Sequence, residues 1–307
     1  MKRNLLAIRH LDVDDIQYLL AMAQMHKDNV EAGEYPAPPA VRRSVGLLFF
    51  ENSTRTRVSF EKACHYLGYQ PVNFSGDGSS MSKGETLRDT IFTLKHERLD
   101  ALVMRHRSSG AANLAAEYFG GPTVNAGDGQ HEHPTQALSD ALTVLSRKGQ
   151  IEGLNVAIVG DILHSRVARS DAWIFSKLGA HVRFVGPNTL VPSVMSGLPG
   201  SVHYDLKEGL DGADVVICLR LQRERMRGPH LSSSREYTKL YQVNRAALRV
   251  ANPEAIVMHP GPMNRGVELD DATADGPQCA VLEQVTNGIF VRMAALQWAL
   301  GDDRGDA

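Results

Sequence analysis

Short apolar runs alternate with stretches of helical periodicity along most of this 307-residue chain, and this alternation constrains its fold more than any other feature. A short apolar run bounded by polar residues is typical of a buried strand, and alternation with helices is typical of a largely parallel sheet. We predict strands at 45–50, 71–74, 101–105, 155–160, 181–186, 214–220 and 255–259. The pattern therefore predicts an α/β protein.

Helices are predicted where apolar side chains recur at intervals of three and four residues. One such stripe covers residues 60–67 and is followed by Gly68, a residue type that favours the end of a helix. Further stripes predict helices over 87–94, 138–145 and 289–300. Together with the predicted strands, they favour two sheets, each flanked by helices.

A polar turn after Lys148-Gly149 separates two series of predicted strands and helices. A chain of this length suits about two domains, each able to bury its own core. We therefore predict two α/β domains, 1–149 and 150–285, with a functional cleft between them.

Composition excludes several classes of protein. Thirty-three Lys and Arg against 35 Asp and Glu leave a formal charge of −2, which does not suit a nucleic-acid-binding protein. The three cysteines, Cys64, Cys218 and Cys279, show no metal-binding spacing and suit a reducing compartment. No run of 18 apolar residues predicts a membrane span, and Arg9, His10 and Asp12 interrupt any signal-like stretch. We expect a cytoplasmic protein without metal or organic cofactor.

The strongest local motif is the segment Ser53-Thr54-Arg55-Thr56-Arg57, which lies between a predicted strand and a predicted helix. A helix N-terminus binds anions through its unpaired backbone N–H groups. The hydroxyls could merely cap the helix, but two arginines in the first turn oppose the helix dipole. The motif therefore favours an anion site.

Two further polar segments in the first half follow or precede predicted elements. Arg105 comes directly after an apolar strand, where ligands of open α/β sheets bind, although alone it could be a surface ion pair. His133-Pro134-Thr135-Gln136 opens a helix and favours contact with a polar ligand. The polar stretch 79–85 reads equally well as a surface loop with a capping serine.

The second half repeats this arrangement. The turn Gly160-Asp161-Ile162-Leu163-His164-Ser165-Arg166 lacks the G-x-G-x-x-G fingerprint, which argues against a nicotinamide-dependent dehydrogenase. Arg220-Leu221-Gln222 and His259-Pro260-Gly261-Pro262 follow two other strands. Polar clusters at successive strand ends predict a site for small anions.

These motifs, in this order and over about residues 4–300, resemble those of the carbamoyltransferase family, and of its aspartate branch rather than its ornithine branch. The ornithine branch usually has His-Cys-Leu-Pro where this chain has His259-Pro260-Gly261-Pro262. The chain departs from the best-known pattern at Gly261, where Leu is often found, and at Met263-Asn264. The resemblance implies transfer of a carbamoyl group from carbamoyl phosphate to L-aspartate, giving N-carbamoyl-L-aspartate and phosphate in pyrimidine biosynthesis.

The resemblance also implies a role for each matching residue. The carbamoyl-phosphate-binding residues would be Ser53, Thr54, Arg55, Thr56, Ser79, Arg105, His133, Gln136, Gly261 and Pro262. The catalytic residues would be Arg55, Thr56, Lys83, Arg105, His133 and Gln136. The aspartate-binding residues would be Lys83, Arg166, Arg220 and Gln222.

At the level of assembly, the resemblance implies a homotrimer with shared active sites, in which Ser79 and Lys83 reach a neighbouring subunit. Domain 1–149 would bind carbamoyl phosphate, completed by the C-terminal helix 286–301, and domain 150–285 would bind aspartate. A higher assembly with regulatory or dihydroorotase chains stays open. So do two alternatives for function: transfer to another amine such as ornithine, and a non-catalytic paralogue.

Overall fold

The computed structural model describes residues 3–75, 84–192, 197–222 and 233–303. The chain forms two units, one comprising Met1–Leu142 and Val285–Ala307 and the other Thr143–Gln284. Each unit contains a parallel sheet flanked by helices, which confirms the predicted fold class. Within the described ranges, no helix combines the length and the apolar character needed to cross a bilayer.

The sheet of the first unit has the strand order β2-β1-β3-β4, and all of its pairs are parallel. Its strands are β1 (Ser44–Phe49), β2 (Gln70–Ser75), β3 (Ala101–His106) and β4 (Thr123–Asp128). The helices that begin in this unit are α1 (Val13–Glu31), α2 (Thr54–Tyr66), α3 (Leu87–His96), α4 (Ala111–Phe119) and α5 (Pro134–Lys148), preceded by a 3-10 turn at Ile8–His10.

The core of the first unit lies on its sheet. Leu48 of β1 and Leu102 and Met104 of β3 are fully buried and pack in one cluster with Ile91 of α3 and Ala112 of α4. Strands buried in this way read as continuous apolar runs, which is why β1 and β3 are visible in the sequence.

The sheet of the second unit has the order β7-β6-β5-β8-β9 and is also parallel. Its strands are β5 (Asn155–Val159), β6 (His181–Val185), β7 (Ser201–His203), β8 (Val215–Cys218) and β9 (Ile256–Met258). Its helices are α6 (Arg166–Lys177), α7 (Leu206–Leu210), α8 (Ser234–Tyr241) and α9 (Asp271–Ala274), with a 3-10 turn at Ala247–Val250.

The last helix, α10 (Val281–Leu300), belongs to the first unit from Val285 onwards. Its residues contact that unit in several places. The Arg3 amide donates to the Ala299 carbonyl at 3.0 Å, and His26 Nε2 lies 2.6 Å from Gln297 Oε1. Burial lowers the pKa of His26, so this contact holds a neutral imidazole at neutral pH. Helix α10 is therefore joined to the N-terminal part of the first unit.

The predicted strands are present with bounds within two residues of those observed. The strands β4 and β7 were not predicted. Helix α10 begins eight residues before the predicted 289. Its first turns expose Leu282 (82%) and Val285 (44%) and so do not continue the buried stripe on which the prediction rested.

Candidate active site

The turn from β1 into α2 contains the first candidate anion site. Ser53 is the N-cap of α2 with extended backbone dihedrals, and its side chain makes no capping hydrogen bond. The first helical bond is instead formed by the backbone, from the Arg57 amide to the Ser53 carbonyl at 3.2 Å. Thr56 is buried, whereas Thr54 is exposed. The hydroxyls therefore stand beside the backbone N–H groups of a helix N-terminus, an arrangement that suits an anion.

The two arginines of this turn have different surroundings. The Arg57 guanidinium lies over the Phe49 ring, 5.2 Å from its centroid, which is the geometry of a cation–π contact. Arg55 is exposed as a whole residue, but nearby protein desolvates its guanidinium and lowers its pKa. Arginine stays charged through such a shift. Arg55 therefore adds positive charge at the first turn of α2.

Arg105 occupies the end of β3. Its Nη2 donates to Glu51 Oε1 at 2.8 Å and its Nη1 to the Ala126 carbonyl at 3.1 Å. The side chain is only 11% exposed. Because Glu51 precedes α2 and Ala126 lies in β4, the guanidinium is fixed among the carboxyl ends of three neighbouring strands, close to the turn that carries Ser53.

His133 and Gln136 lie at the start of α5. His133 is buried, and its carbonyl accepts from the Gln136 and Ala137 amides at 3.0 and 3.2 Å. The Gln136 side chain is partly exposed, and its Nε2 donates to Asp140 Oδ1 at 2.8 Å. Since α5 follows β4, these residues lie at the same sheet edge as Arg105.

The loop between β4 and α5 is held by Asp128, which the sequence analysis did not single out. Its fully buried carboxylate accepts from the Gly110 amide at 2.7 Å and from Asn125 Nδ2 at 2.8 Å. His131 Nδ1 lies 3.1 Å from the same carboxylate, which raises the pKa of that imidazole. The adjacent Glu132 accepts from the Ile8 amide at 2.7 Å. Two buried carboxylates thus position the residue before the helix, His133.

In the second unit, the turn after β5 positions Arg166. Ser165 caps α6 by accepting from the Ala168 amide at 3.2 Å, and Arg166, the first helical residue, is buried. The buried Asp161 accepts from His164 Nδ1 at 2.8 Å and from the Gln222 amide at 3.3 Å. Asp161 therefore joins the loops that follow β5 and β8.

The structure brings Arg220 and Gln222 to the end of β8, where both side chains are partly buried. The strand β5 neighbours β8, so Arg166 and these two residues share one edge of the second sheet. Two guanidinium groups and an amide at one edge suit a ligand with more than one carboxylate, because guanidinium binds carboxylate through paired hydrogen bonds.

The loop after β9 carries Gly261 and Pro262. Gly261 has a φ of +66°, in the left-handed region that favours glycine, so the departure from leucine at this position agrees with the backbone. His259 Nδ1 accepts from the Gly261 amide at 2.8 Å. The opposite nitrogen, Nε2, lies 3.3 Å from Glu268, which also accepts from the Asn264 amide at 2.5 Å. Glu268, which the sequence analysis did not single out, therefore contacts this loop at His259, before Gly261, and at Asn264, after Pro262.

The structure thus groups the candidate residues at two sheet edges. In the first unit these are Ser53, Thr54, Arg55, Thr56, Arg105, His133 and Gln136. In the second they are Arg166, Arg220, Gln222, Gly261 and Pro262. Ser79 and Lys83 lie outside the described residues. In the part of the chain that the structure describes, no cluster of three or more His, Cys, Asp or Glu side chains is arranged to hold a metal ion.

Residues 3–146 match the sequence profile described as aspartate/ornithine carbamoyltransferase, carbamoyl-P binding domain. Residues 152–299 match the profile of the Asp/Orn binding domain of the same family.

Three relatives are representative. The aspartate carbamoyltransferase catalytic subunit of Granulibacter bethesdensis is 50% identical over 297 residues, which cover 96% of this chain and 94% of that protein. A crystal structure of aspartate transcarbamoylase from Trypanosoma cruzi in complex with N-(phosphonacetyl)-L-aspartic acid is 34% identical, with a TM-score of 0.86 over 97% of this chain and 95% of that one. Ornithine carbamoyltransferase from Pyrococcus furiosus is 28% identical, with a TM-score of 0.86 over 98% and 97% of the two chains. On these matches, the chain belongs to the aspartate/ornithine carbamoyltransferase family.

Proposed function

We propose that this chain catalyses transfer of the carbamoyl group from carbamoyl phosphate to the α-amino group of L-aspartate, giving N-carbamoyl-L-aspartate and phosphate. The observation that carries the choice of aspartate is the 50% identity to an aspartate carbamoyltransferase catalytic subunit over 96% of this chain. The ornithine enzyme has the same fold but only 28% identity. The arginines at the second sheet edge support the same choice, because aspartate carries two carboxylates and ornithine only one.

Carbamoyl phosphate is assigned to the first unit. The N-terminal turn of α2, with Ser53, Thr54, Arg55 and Thr56, holds the phosphate, aided by Ser79 of a neighbouring subunit. Arg105 and His133, with Thr56, polarise the carbamoyl carbonyl, and Gln136 orients its amino group. Arg105 suits this role because Glu51 and Ala126 already fix its guanidinium at the sheet edge. The backbone around Gly261 and Pro262 completes the set.

Aspartate is assigned to Arg166, Arg220 and Gln222, with Lys83 of a neighbouring subunit. The neutral α-amino nitrogen attacks the carbamoyl carbon, and a tetrahedral oxyanion forms. Donors aimed in advance at such an oxygen lower the barrier, and the loss of one costs about 10²–10³ in rate. The bond between the carbamoyl carbon and the phosphate oxygen then breaks, and the departing phosphate accepts the amine proton. The chain's own contribution is to hold two anions in the reactive orientation.

The same proposal covers the roles of the two domains, the assembly of the chain and its location in the cell. The first domain, 1–149 with 286–301, binds carbamoyl phosphate, and the second, 150–285, binds aspartate. The chain works in the cytoplasm as a homotrimer with shared sites, in pyrimidine biosynthesis. The 50% identity to a protein described as a catalytic subunit supports this, and assembly with regulatory or dihydroorotase chains is to be tested on the purified protein.

The test is an initial-rate assay on the purified chain, with carbamoyl phosphate and either aspartate or ornithine, followed by product identification. The protein is expressed in a host that lacks its own carbamoyltransferases, and Arg105→Ala serves as a control for contaminating activity. We expect carbamoyl-aspartate in the first reaction and no carbamoylated ornithine in the second. Activity with ornithine alone, or with neither amine, would overturn the proposal.

A further inference from the structure

Two buried charged side chains of the first unit, one acidic and one basic, take no part in the mechanism above. Asp140 of α5 is fully buried and Arg292 of α10 is 4% exposed. A buried charge is costly unless it is paired, and buried pairs contribute little net stability. Asp140 also bonds to Gln136, a residue proposed to meet the substrate, which suggests a role in the orientation of that side chain.

The group that Asp140 orients is Gln136, one helical turn earlier. Gln136 Nε2 donates to Asp140 Oδ1 at 2.8 Å. An ionised carboxylate can only accept hydrogen bonds, so the amide must present its NH₂ to Asp140. The acceptor end, Oε1, is then the end that faces away from the carboxylate.

Arg292 is fixed in place by the first unit. Its Nη1 donates to Ser59 Oγ of α2 at 3.0 Å and to the Gly288 carbonyl at 2.7 Å. The guanidinium carbon also lies 5.3 Å from the Phe60 ring centroid. A β-carbon at Gly288 would come within 2.3 Å of Nη1, so the absence of a side chain there makes room for the guanidinium.

The charge of Arg292 acts on Asp140. Burial lowers the pKa of Arg292 to about 10, and the negative charge of Asp140 opposes this shift. The guanidinium is therefore protonated at neutral pH. A nearby cation favours the ionised form of a carboxyl group, the form that can only accept from Gln136.

We infer that Asp140 is a positioning residue: it sets which end of the Gln136 amide faces the substrate, and so makes the site prefer a carbamoyl group to an acyl group without N–H. The inference rests on the proposed function. A carbamoyl NH₂ donates to the outward Oε1, whereas the methyl of an acetyl group leaves this oxygen unpaired. A site that offers a hydrogen-bonding group discriminates against analogues that cannot use it.

The measurement is the ratio of kcat/KM for carbamoyl phosphate to that for acetyl phosphate, with aspartate saturating. In the acetyl reaction the amine nitrogen bonds to the acetyl carbon, the carbon–oxygen bond to phosphate breaks, and phosphate takes the proton. In Asp140→Asn the new amide can turn its NH₂ as well as its oxygen toward Gln136, so the Gln136 amide is no longer held in one direction. We expect the ratio to fall about tenfold, the size of one lost hydrogen bond.

Gln136→Glu changes the other member of the hydrogen bond between Gln136 and Asp140. Because Gln136 is partly exposed, this variant should still fold. Glutamate has no N–H for Asp140, and repulsion between the two carboxylates moves its oxygens away from the position that Gln136 Oε1 holds, so the carbamoyl NH₂ loses its acceptor. We expect the ratio to fall here too. General damage to phosphate binding affects both substrates equally and cancels in the ratio.

A double-mutant cycle separates positioning from other effects. In a Gln136→Ala background, Asp140→Asn should leave the ratio unchanged, because no amide remains to be oriented. Gln24 and Asp28 form a matched pair on the surface of α1, with Nε2 donating to Oδ1 at 2.7 Å. Asp28→Asn should therefore leave the ratio at its wild-type value.

The possible failures are distinguishable. A folded wild-type chain that makes no carbamoyl-aspartate refutes the proposed function. A wild-type chain that makes it, with an undiminished ratio in Gln136→Glu or in folded Asp140→Asn, refutes the role of Asp140 alone. The role of Asp140 is also refuted if Asp140→Asn lowers the ratio as much in the Gln136→Ala background as in the wild-type chain. If Asp140→Asn does not fold, Gln136→Glu decides.

Discussion

Replacement of Asp128 by asparagine tests the buried network that positions His133. Asp128 is fully buried, and its two oxygens accept from the Gly110 amide at 2.7 Å and from Asn125 Nδ2 at 2.8 Å. In Asp128→Asn one oxygen becomes an NH₂ group, so a donor faces a donor whichever way the amide turns. A buried donor without a partner costs about 1–3 kcal/mol. We expect a loss of that size in the free energy of unfolding, with a lower kcat because His133 loses its support.

The loss of unfolding free energy in Asp128→Asn should be larger at low pH than at high pH. Asp128 raises the pKa of His131 in the folded state, so this contact contributes stability that is complete below the unfolded value of about 6.5. The contribution disappears as the pH rises through the folded pKa. The difference in unfolding free energy between wild type and Asp128→Asn should therefore be larger at about pH 5.5 than at about pH 8.5.

The assay is urea unfolding followed by far-ultraviolet circular dichroism, at one protein concentration because subunit association shifts apparent stability. Asp28→Asn, which removes an exposed carboxylate, is the control and should stay within about 0.5 kcal/mol of wild type. An Asp128→Asn protein as stable as this control would refute the reasoning, as would a difference that grows with pH.

Three further predictions concern the proposed roles. Arg105→Ala should lower kcat by about 10²–10³ with the fold intact, because it removes a charged donor to the developing oxyanion, and steady-state kinetics check this. Arg220→Ala should weaken aspartate use by about 2–5 kcal/mol and leave the KM for carbamoyl phosphate near its wild-type value; the reverse pattern would mean that the two substrates are assigned to the wrong units. Inactive Lys83→Ala and Arg105→Ala proteins, dissociated and reassembled together, should regain activity in about a quarter of the sites; proven exchange without activity would mean that Lys83 does not serve a neighbouring subunit.

Most strands of the two sheets could be predicted because buried parallel strands contain continuous apolar runs. The strands β1, β3 and β5 show such runs, and their carboxyl ends indicated where polar side chains would gather. The strand β4 has no such run: Asn125 and Asp128 lie within it. These polar groups are fully buried because they hydrogen bond to one another, a condition that no local pattern reveals.

The residues that position the site were harder to predict than those proposed to meet the substrate. Asp128, Asp140 and Glu268 are carboxylates in polar or helical segments where exposure is the ordinary expectation. Each is buried by partners that are distant in the sequence or arranged by a turn, such as Gly110 for Asp128. For Asp140 the one local signal was its spacing of four residues from Gln136.

The central claim, carbamoyl transfer to aspartate, is tested most directly by competition. The purified chain is given carbamoyl phosphate labelled with ¹³C in the presence of equimolar aspartate and ornithine, and the products are identified by mass spectrometry while phosphate is measured. We predict that the label enters carbamoyl-aspartate alone, with one phosphate released for each product molecule. Label in the ornithine product, or no labelled product from a folded protein, would contradict the account.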